Sequence, residues 1–329
     1  MMTPSIAKTL LVVAPVVALM LLLPQFTNRG VTFIAAVTYL YIVFGFSWNL
    51  MFGYTGMASF GHGAFFAVGA YFYSVVAQNF PDLDFLVLLL GSGVFTFVVA
   101  AIVGMVVVRR SHGVYFAVLT IALGQVVYLL VTETPALGRD DGFTGITRPV
   151  IGFDPFTVDL GRGDNYYYFV VVASLFLTAA TWWLVHGKLG RRFKAIQQDP
   201  ERAAFFGIDV FRNRLLSFSL AAAIAGFVGA IYAPLLQIVT PAVAFFAFSA
   251  QPVLYTMLGG MGSFWGPAIG GLIFASLDYS TRSLVGVSEL LVGTTLLIVV
   301  LALPAGILGL VSTARSLSRQ MSAGAGGNR

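Results

Sequence analysis

Long apolar runs separated by short charged clusters dominate this chain. No charged residue interrupts positions 9–28, 30–81, 85–108, 111–132, 165–187, 215–277 or 290–314. A helix needs about 20 apolar residues to cross the hydrocarbon of a bilayer. Most of these runs therefore hold one helix, while 30–81 holds two. The run 215–277 holds three short passes, or two passes and a re-entrant segment. The pattern predicts an all-α polytopic membrane protein with about ten transmembrane helices, nine being the alternative.

The basic residues assign sides to the loops. Lys188, Arg191, Arg192, Lys194, Arg202, Arg212 and Arg214 crowd one short loop, Arg109 and Arg110 mark a second, and Arg315, Arg319 and Arg329 mark the tail. Positive charge collects on the cytoplasmic side of membrane proteins. Alternation then places both termini inside. Asp82 and Asp84, and the mixed segment 133–164, fall outside. The expected organisation is one membrane domain, 1–329. It has a spanning core over 9–310, an external loop over 133–164, a cytoplasmic loop over 187–214 and a polar cytoplasmic tail over 311–329. The first apolar stretch is followed by Pro24, Gln25 and Phe26 rather than a small-residue cleavage pattern, so it is expected to be an uncleaved span.

Composition agrees. Of 329 residues, 58% are hydrophobic and 9% charged, against about 25% charged in soluble proteins. That excludes a soluble enzyme, a disordered chain and a nucleic-acid-binding domain. The net charge of +5 belongs to the loops and signals topology, not a nucleic-acid partner. With no cysteine, thiol catalysis and cysteine metal sites are excluded.

Missing motifs narrow the function. A phosphate-binding loop needs Gly-Lys followed by Ser or Thr, and the one Gly-Lys pair, Gly187-Lys188, precedes Leu189. The chain is therefore expected to hydrolyse no ATP. His62, His112 and His186 are scattered, with no metal-ligand spacing. The apolar runs carry no central carboxylate, and Asp278 and Glu289 fall towards helix ends. Ion-coupled carriers usually place such a group near the midplane. The energy source is expected to lie elsewhere, with a self-sufficient carrier or channel as the alternative and a membrane enzyme disfavoured.

The basic loop is the most informative segment. Leu189, Phe193 and Ile196 form one apolar stripe, and Arg191, Arg192, Lys194, Gln197 and Gln198 face away. Asp199 then occupies an N-cap position, Pro200 the first helical position, Glu201 the first turn, and Gly207 a left-handed terminator. A second short helix is predicted over 200–206. It is either an ordered connector on anionic lipid or a docking helix for a cytoplasmic partner. An internal echo adds a further clue: Gly56-Met57-Ala58-Ser59-Phe60, ending at Ala64, returns as Gly260-Met261-Gly262-Ser263-Phe264, ending at Ala268. Transporters often carry broken helices at matching places in two halves.

The run Gly190-Arg191-Arg192-Phe193-Lys194-Ala195-Ile196, with Asp199-Pro200-Glu201-Arg202-Ala203 and Gly207-Ile208-Asp209-Val210, resembles the coupling loop of Liv-type permeases. These are the membrane subunits of branched-chain amino-acid ABC importers. Residues 50–66, Gly113 to Gln125, Asp141 to Ile146, 226–233 and 259–267 resemble the same family in the same order. Gly63 departs from it, where Ala is common. The longer external loop and Arg-rich coupling loop are similar to the LivM-like type.

This resemblance implies a heterodimer with a LivH-like permease, two cytoplasmic ATPases that bind ATP and Mg, and a periplasmic substrate-binding protein. It implies a location in the bacterial inner membrane and an amino-acid substrate; related systems take urea or short amides. Arg192, Asp199, Pro200, Glu201, Arg202, Ala203 and Gly207 are then the ATPase-coupling residues. Asp141, Gly142 and Gly145 are candidate contacts for the binding protein.

Candidates for the path are Asn49, Gly56, Ser59, His62, Gly63, Tyr115, Gln125, Gly260, Gly262 and Ser263. Each has a structural alternative. His62 is expected to bond a neighbouring carbonyl rather than line the path or cap a helix over 64–76. Asn49 and Gln125 suit interhelical hydrogen bonds, and the glycines suit close packing. The second Gly-rich stretch either opens backbone to the path or makes a tight turn.

Overall fold

The computed structural model describes residues 4–111, 113–153, 156–281, 293–294 and 306–309. Among the described residues up to 281, eleven α-helices follow one another: α1 Pro4–Phe26, α2 Arg29–Thr55, α3 Gly63–Asn79, α4 Phe85–Arg110, α5 Val114–Glu133, α6 Asn165–His186, α7 Lys188–Gln198, α8 Pro200–Phe205, α9 Val210–Leu236, α10 Phe246–Gly259 and α11 Gly266–Thr281. Short side chains set several starts. Asn28 accepts from the Val31 amide at 2.9 Å, and Asp84 from the Leu86 amide at 2.8 Å. Asp209 accepts from the Arg212 amide at 2.9 Å. Each meets an amide that the first turn leaves without a partner.

Among the described residues, α2, α4, α5, α6 and α9 are long and apolar enough to cross a membrane. The chain is an all-α, multi-pass membrane protein. The run 30–81 holds two helices as expected, and 215–277 holds three. One of these, α10, has 14 residues, about 21 Å of helix against a hydrocarbon layer of about 30 Å. The expected span over 290–314 and the tail over 311–329 fall largely or wholly outside the described residues.

The centre of the bundle is α9, packed on α4, α3 and α2. Glycine makes the tightest crossing: a methyl group on Gly69 of α3 would collide with the Gly226 backbone of α9, and one on Gly229 with the Phe66 carbonyl. Small residues let membrane helices approach until their backbones touch. On α4, Ser92 Oγ donates to the Leu88 carbonyl and Thr96 Oγ1 to that of Ser92, both at 2.8 Å, so neither leaves its donor open to hydrocarbon.

Opposite the α7–α8 end, strand β1 (Phe143–Thr144) pairs antiparallel with β4 (Ile238–Val239). A hairpin of β2 (Val150–Phe153) and β3 (Phe156–Asp159) lies within the 133–164 loop. The β1–β4 pair ties that loop to the α9–α10 connection. Hydrophobic periodicity gave no sign of it, since each strand is two residues long.

Candidate functional site

Helix α2 ends at Gly56, whose φ of 75° is left-handed and returns its amide to the Met51 and Phe52 carbonyls. The next six residues are not helical. They double back beside the last turns of α2: Trp48 Nε1 donates to the Ser59 carbonyl at 2.6 Å, and His62 Nε2 lies 2.8 Å from Ser47 Oγ. Ser47 is two turns before the end of α2, so α3 begins about 12 Å back along that helix.

Backbone without a helix inside a membrane protein must find other partners, and here side chains from three helices supply them. Besides Trp48 of α2, Thr120 of α5 accepts from the Phe60 amide at 3.1 Å. Ser249 of α10 accepts from the Gly63 amide at 2.9 Å. A methyl group on Gly63 would lie 2.7 Å from both Ser249 Oγ and the Val243 carbonyl, so an alanine would crowd here. The His62 ring stacks on Phe44 with centroids 5.2 Å apart. It occupies the cap position of α3 without capping it, and its partner is a hydroxyl rather than the expected carbonyl.

The second Gly-rich stretch packs on the same turns of α2 from another side. Helix α10 runs parallel to α2, Phe248 beside Phe44, and ends at Gly260 with φ 123°. Asn49 Nδ2 donates to the Ser263 carbonyl at 2.9 Å, and Phe46 stacks on Phe264 at 4.7 Å. Gly53 faces the Gly262 amide. The two echoing segments are thus both helix breaks, and both lean on the last three turns of α2. Asn49 Oδ1, Ser59 Oγ and His62 Nδ1 are buried without a hydrogen-bond partner. Buried polar atoms are normally satisfied, so each of these atoms keeps unused bonding capacity.

Sequence reasoning brought Asn49, Ser59, His62, Gly63, Gly260, Gly262 and Ser263 forward, and the fold sets them on two sides of α2. Ser59, His62 and Gly63 lie on the side of Ser47 and Trp48, and Gly260, Gly262 and Ser263 on the side of Asn49 and Gly53. Gly56 sits at the lip of the break, exposed. Tyr115 and Gln125 are elsewhere, exposed on the outer face of α5. The reasoning missed Ser47, Trp48, Thr120 and Ser249. Hydroxyls in apolar helices are too common to single these out, and only the unwound segment gives them a task.

Beneath the break lie the two short helices. Phe193 and Ile196 of α7 are fully buried and Arg191, Arg192, Lys194, Gln197 and Gln198 exposed, as the stripe predicts. Lys194 Nζ sits 5.2 Å over the Tyr54 ring, and a methyl group on Gly56 would touch Gln197 Cγ at 3.7 Å. Asp199 Oδ1 accepts from the Glu201 and Arg202 amides, both at 3.0 Å, and its Oδ2 pairs with Arg202 Nε at 2.8 Å. Pro200 opens α8, Ala203 is its buried contact, and Gly207 turns the chain with φ 78°. The helix stops at Phe205, one residue short of the expected end. Glu201 and Arg202 point outward. So do Phe205 and Phe206, 91% and 86% exposed, the largest apolar surface in an otherwise polar loop.

At the other end, Asp141 and Gly145 are exposed and Gly142 is buried against the Val239 carbonyl. Among the described residues no three His, Cys, Asp or Glu side chains converge to hold a metal.

The family model described as "Branched-chain amino acid transport system / permease component" matches residues 30–303. The high-affinity branched-chain amino acid transport system permease protein LivM of Escherichia coli K12 is 27% identical, over 92% of this chain and 76% of its own length. LivH of the same strain is 26% identical, over 83% and 91%. BraD of Pseudomonas aeruginosa PAO1 is 24% identical, over 83% and 92%. No solved structure matches significantly. The extent of the family match decides the question: the chain belongs to the permease-component family of branched-chain amino acid transport systems.

Proposed function

We propose that the chain is the LivM-like membrane subunit of an ABC importer that moves branched-chain or related amino acids across a bacterial inner membrane. Both termini and the α7–α8 loop then face the cytoplasm. A second, LivH-like permease completes the path, and two ATPase subunits bind ATP and Mg. A periplasmic binding protein delivers the substrate at the β1–β4 end, near Asp141, Gly142 and Gly145.

One observation carries this reading. Helix α7 packs on the last turn of α2, through Lys194 over Tyr54 and Gln197 against Gly56, where that helix breaks. A push on α8 therefore reaches the break through one rigid helix. Glu201, Arg202 and the exposed Phe205 and Phe206 offer an ATPase groove charged and apolar contacts. At the break after α2, Ser59 Oγ and His62 Nδ1 suit a polar group of an amino acid, and the neighbouring Phe44 suits its side chain.

The test is uptake of labelled leucine by vesicles holding the full complex, wild type against Glu201→Arg and Arg202→Glu. Both variants are expected to lose uptake and ATPase copurification together. ATP-driven uptake of urea or an amide in place of leucine would change the substrate and keep the mechanism.

A further inference from the structure

Helices α10 and α11 are pressed together at one end and part at the other. A methyl group on Gly259 would collide with the Gly266 backbone, and one on Gly270 with the Tyr255 carbonyl. Beyond that contact a cavity of about 330 Å³ opens between α2, α10 and α11. Small-molecule sites run from about 300 to 1,000 Å³. Helix α11 is antiparallel to α2, since Gly45 faces Pro267 and Gly271 faces Ile42. Asp278 follows Gly271 by two turns, about 10 Å, and so stands towards the Arg29 end of α2, away from α7. The cavity therefore lies in the half nearer the β1–β4 end, and the contact of α10 with α11 closes it towards the second break.

Its wall has two characters. Tyr41, Gln251, Tyr255 and Asp278 bring polar groups, while Ile34, Val37 and Phe274 are apolar. The Tyr255 hydroxyl donates to Gln251 Oε1 at 3.4 Å, and the Tyr255 ring meets Phe274 edge to face. A carboxylate within a membrane helix is costly and marks a route for polar solutes or ions. It has about four acceptor sites, so Asp278 can hold a guest beside the contacts it already makes. Tyrosine rings add attraction for a cation. None of the described residues on this wall is basic, so an anionic group would find no charged partner among them.

We propose that this cavity is a loading site for a solute that joins an ammonium group to a small aliphatic side chain. The ammonium meets Asp278 and the Gln251 amide oxygen, and the aliphatic part lies against Ile34, Val37 and Phe274. The site reads the ammonium and leaves a carboxylate at its mouth. That the solute is a transported amino acid rests on the importer reading above.

The chain holds no cysteine, so Ala275→Cys, on the cavity wall, supplies its single thiol. N-ethylmaleimide is added to the intact complex in lipid nanodiscs, and mass spectrometry of this chain gives the labelling rate. Ser280→Cys, exposed on the same helix and outside the cavity wall, is the control. Leucine, and leucinol, which lacks the carboxylate, are expected to slow labelling at position 275 and not at 280. N-acetyl-leucine, whose amine is blocked, should not slow it. Asp278→Asn should raise the leucine needed for half-protection about ten- to a hundredfold, the worth of a hydrogen bond to a charged group. The ligand series needs no change at Asp278 and decides the matter by itself if that variant does not assemble. No labelling at position 275, no slowing by leucine, equal slowing by N-acetyl-leucine, or unchanged protection in Asp278→Asn would each overturn the loading site. ATP-driven leucine uptake by the same complex would then leave the importer standing. Protection of the expected kind in a complex that takes up no leucine would keep the site and overturn the importer reading.

Discussion

The side-chain amide of Asn49 donates to the carbonyl of Ser263 at 2.9 Å, across 214 positions of sequence. That bond joins α2 to the break between α10 and α11, and α2 also carries the partners of the break before α3. One helix thus holds both interruptions in register.

Asn49→Leu should cost about 1–3 kcal/mol, because it strands the Ser263 carbonyl. Asn49→Gln, which keeps the amide but moves it by one methylene, should recover less than the full loss. Thermal unfolding of the purified complex measures both. Unchanged stability in the pair would mean that the tie holds nothing.

Thr120→Val leaves the Phe60 amide of the unwound segment without its acceptor. An unsatisfied buried donor costs about 1–3 kcal/mol, and we expect uptake to fall while the complex still assembles. Thr120→Ser keeps the oxygen and should restore uptake. Equal uptake in Val and Ser variants would contradict the assigned role.

Asp199→Ala removes the cap of α8, worth about 1 kcal/mol, or roughly a fivefold loss in ATPase copurification. The Asp199–Arg202 ion pair is exposed on the arginine side, so it contributes little by itself. Asp199→Asn caps equally well and should copurify close to wild type. A collapse in both variants would assign the effect to charge and not to the cap.

Two glycines in helices should answer oppositely to alanine. Gly69→Ala drives a methyl group into the Gly226 backbone, which cannot move aside, and overpacking of this kind costs about 1–3 kcal/mol. Gly91→Ala meets only the edge of Phe72 at 3.5 Å and gains up to about 1 kcal/mol of helix propensity. Thermal unfolding of each variant decides.

Much of this fold was legible because membrane helices declare themselves by length between charges, and the cap expected at Asp199 marks a start that the structure keeps. The amphipathic stripe of Phe193 and Ile196 was plain for the same reason. What stayed hidden depends on distant partners. The backward run of the segment after Gly56 is fixed by Trp48, Thr120 and Ser249, none distinctive alone. The strand pair at Phe143 and Val239 is too short to leave a period. Tyr115 and Gln125 matched the family pattern, but their outward setting follows from the close approach of Gly61 and Gly124, a fact of packing and not of sequence spacing.

Transport by reconstituted liposomes tests the central claim most directly. The chain is assembled with its second permease and binding protein, with or without the ATPase subunits, and labelled leucine is supplied. The account predicts accumulation against a gradient that requires ATP and the ATPases, and that falls to background in Glu201→Arg. Accumulation that proceeds without the ATPase subunits would contradict it.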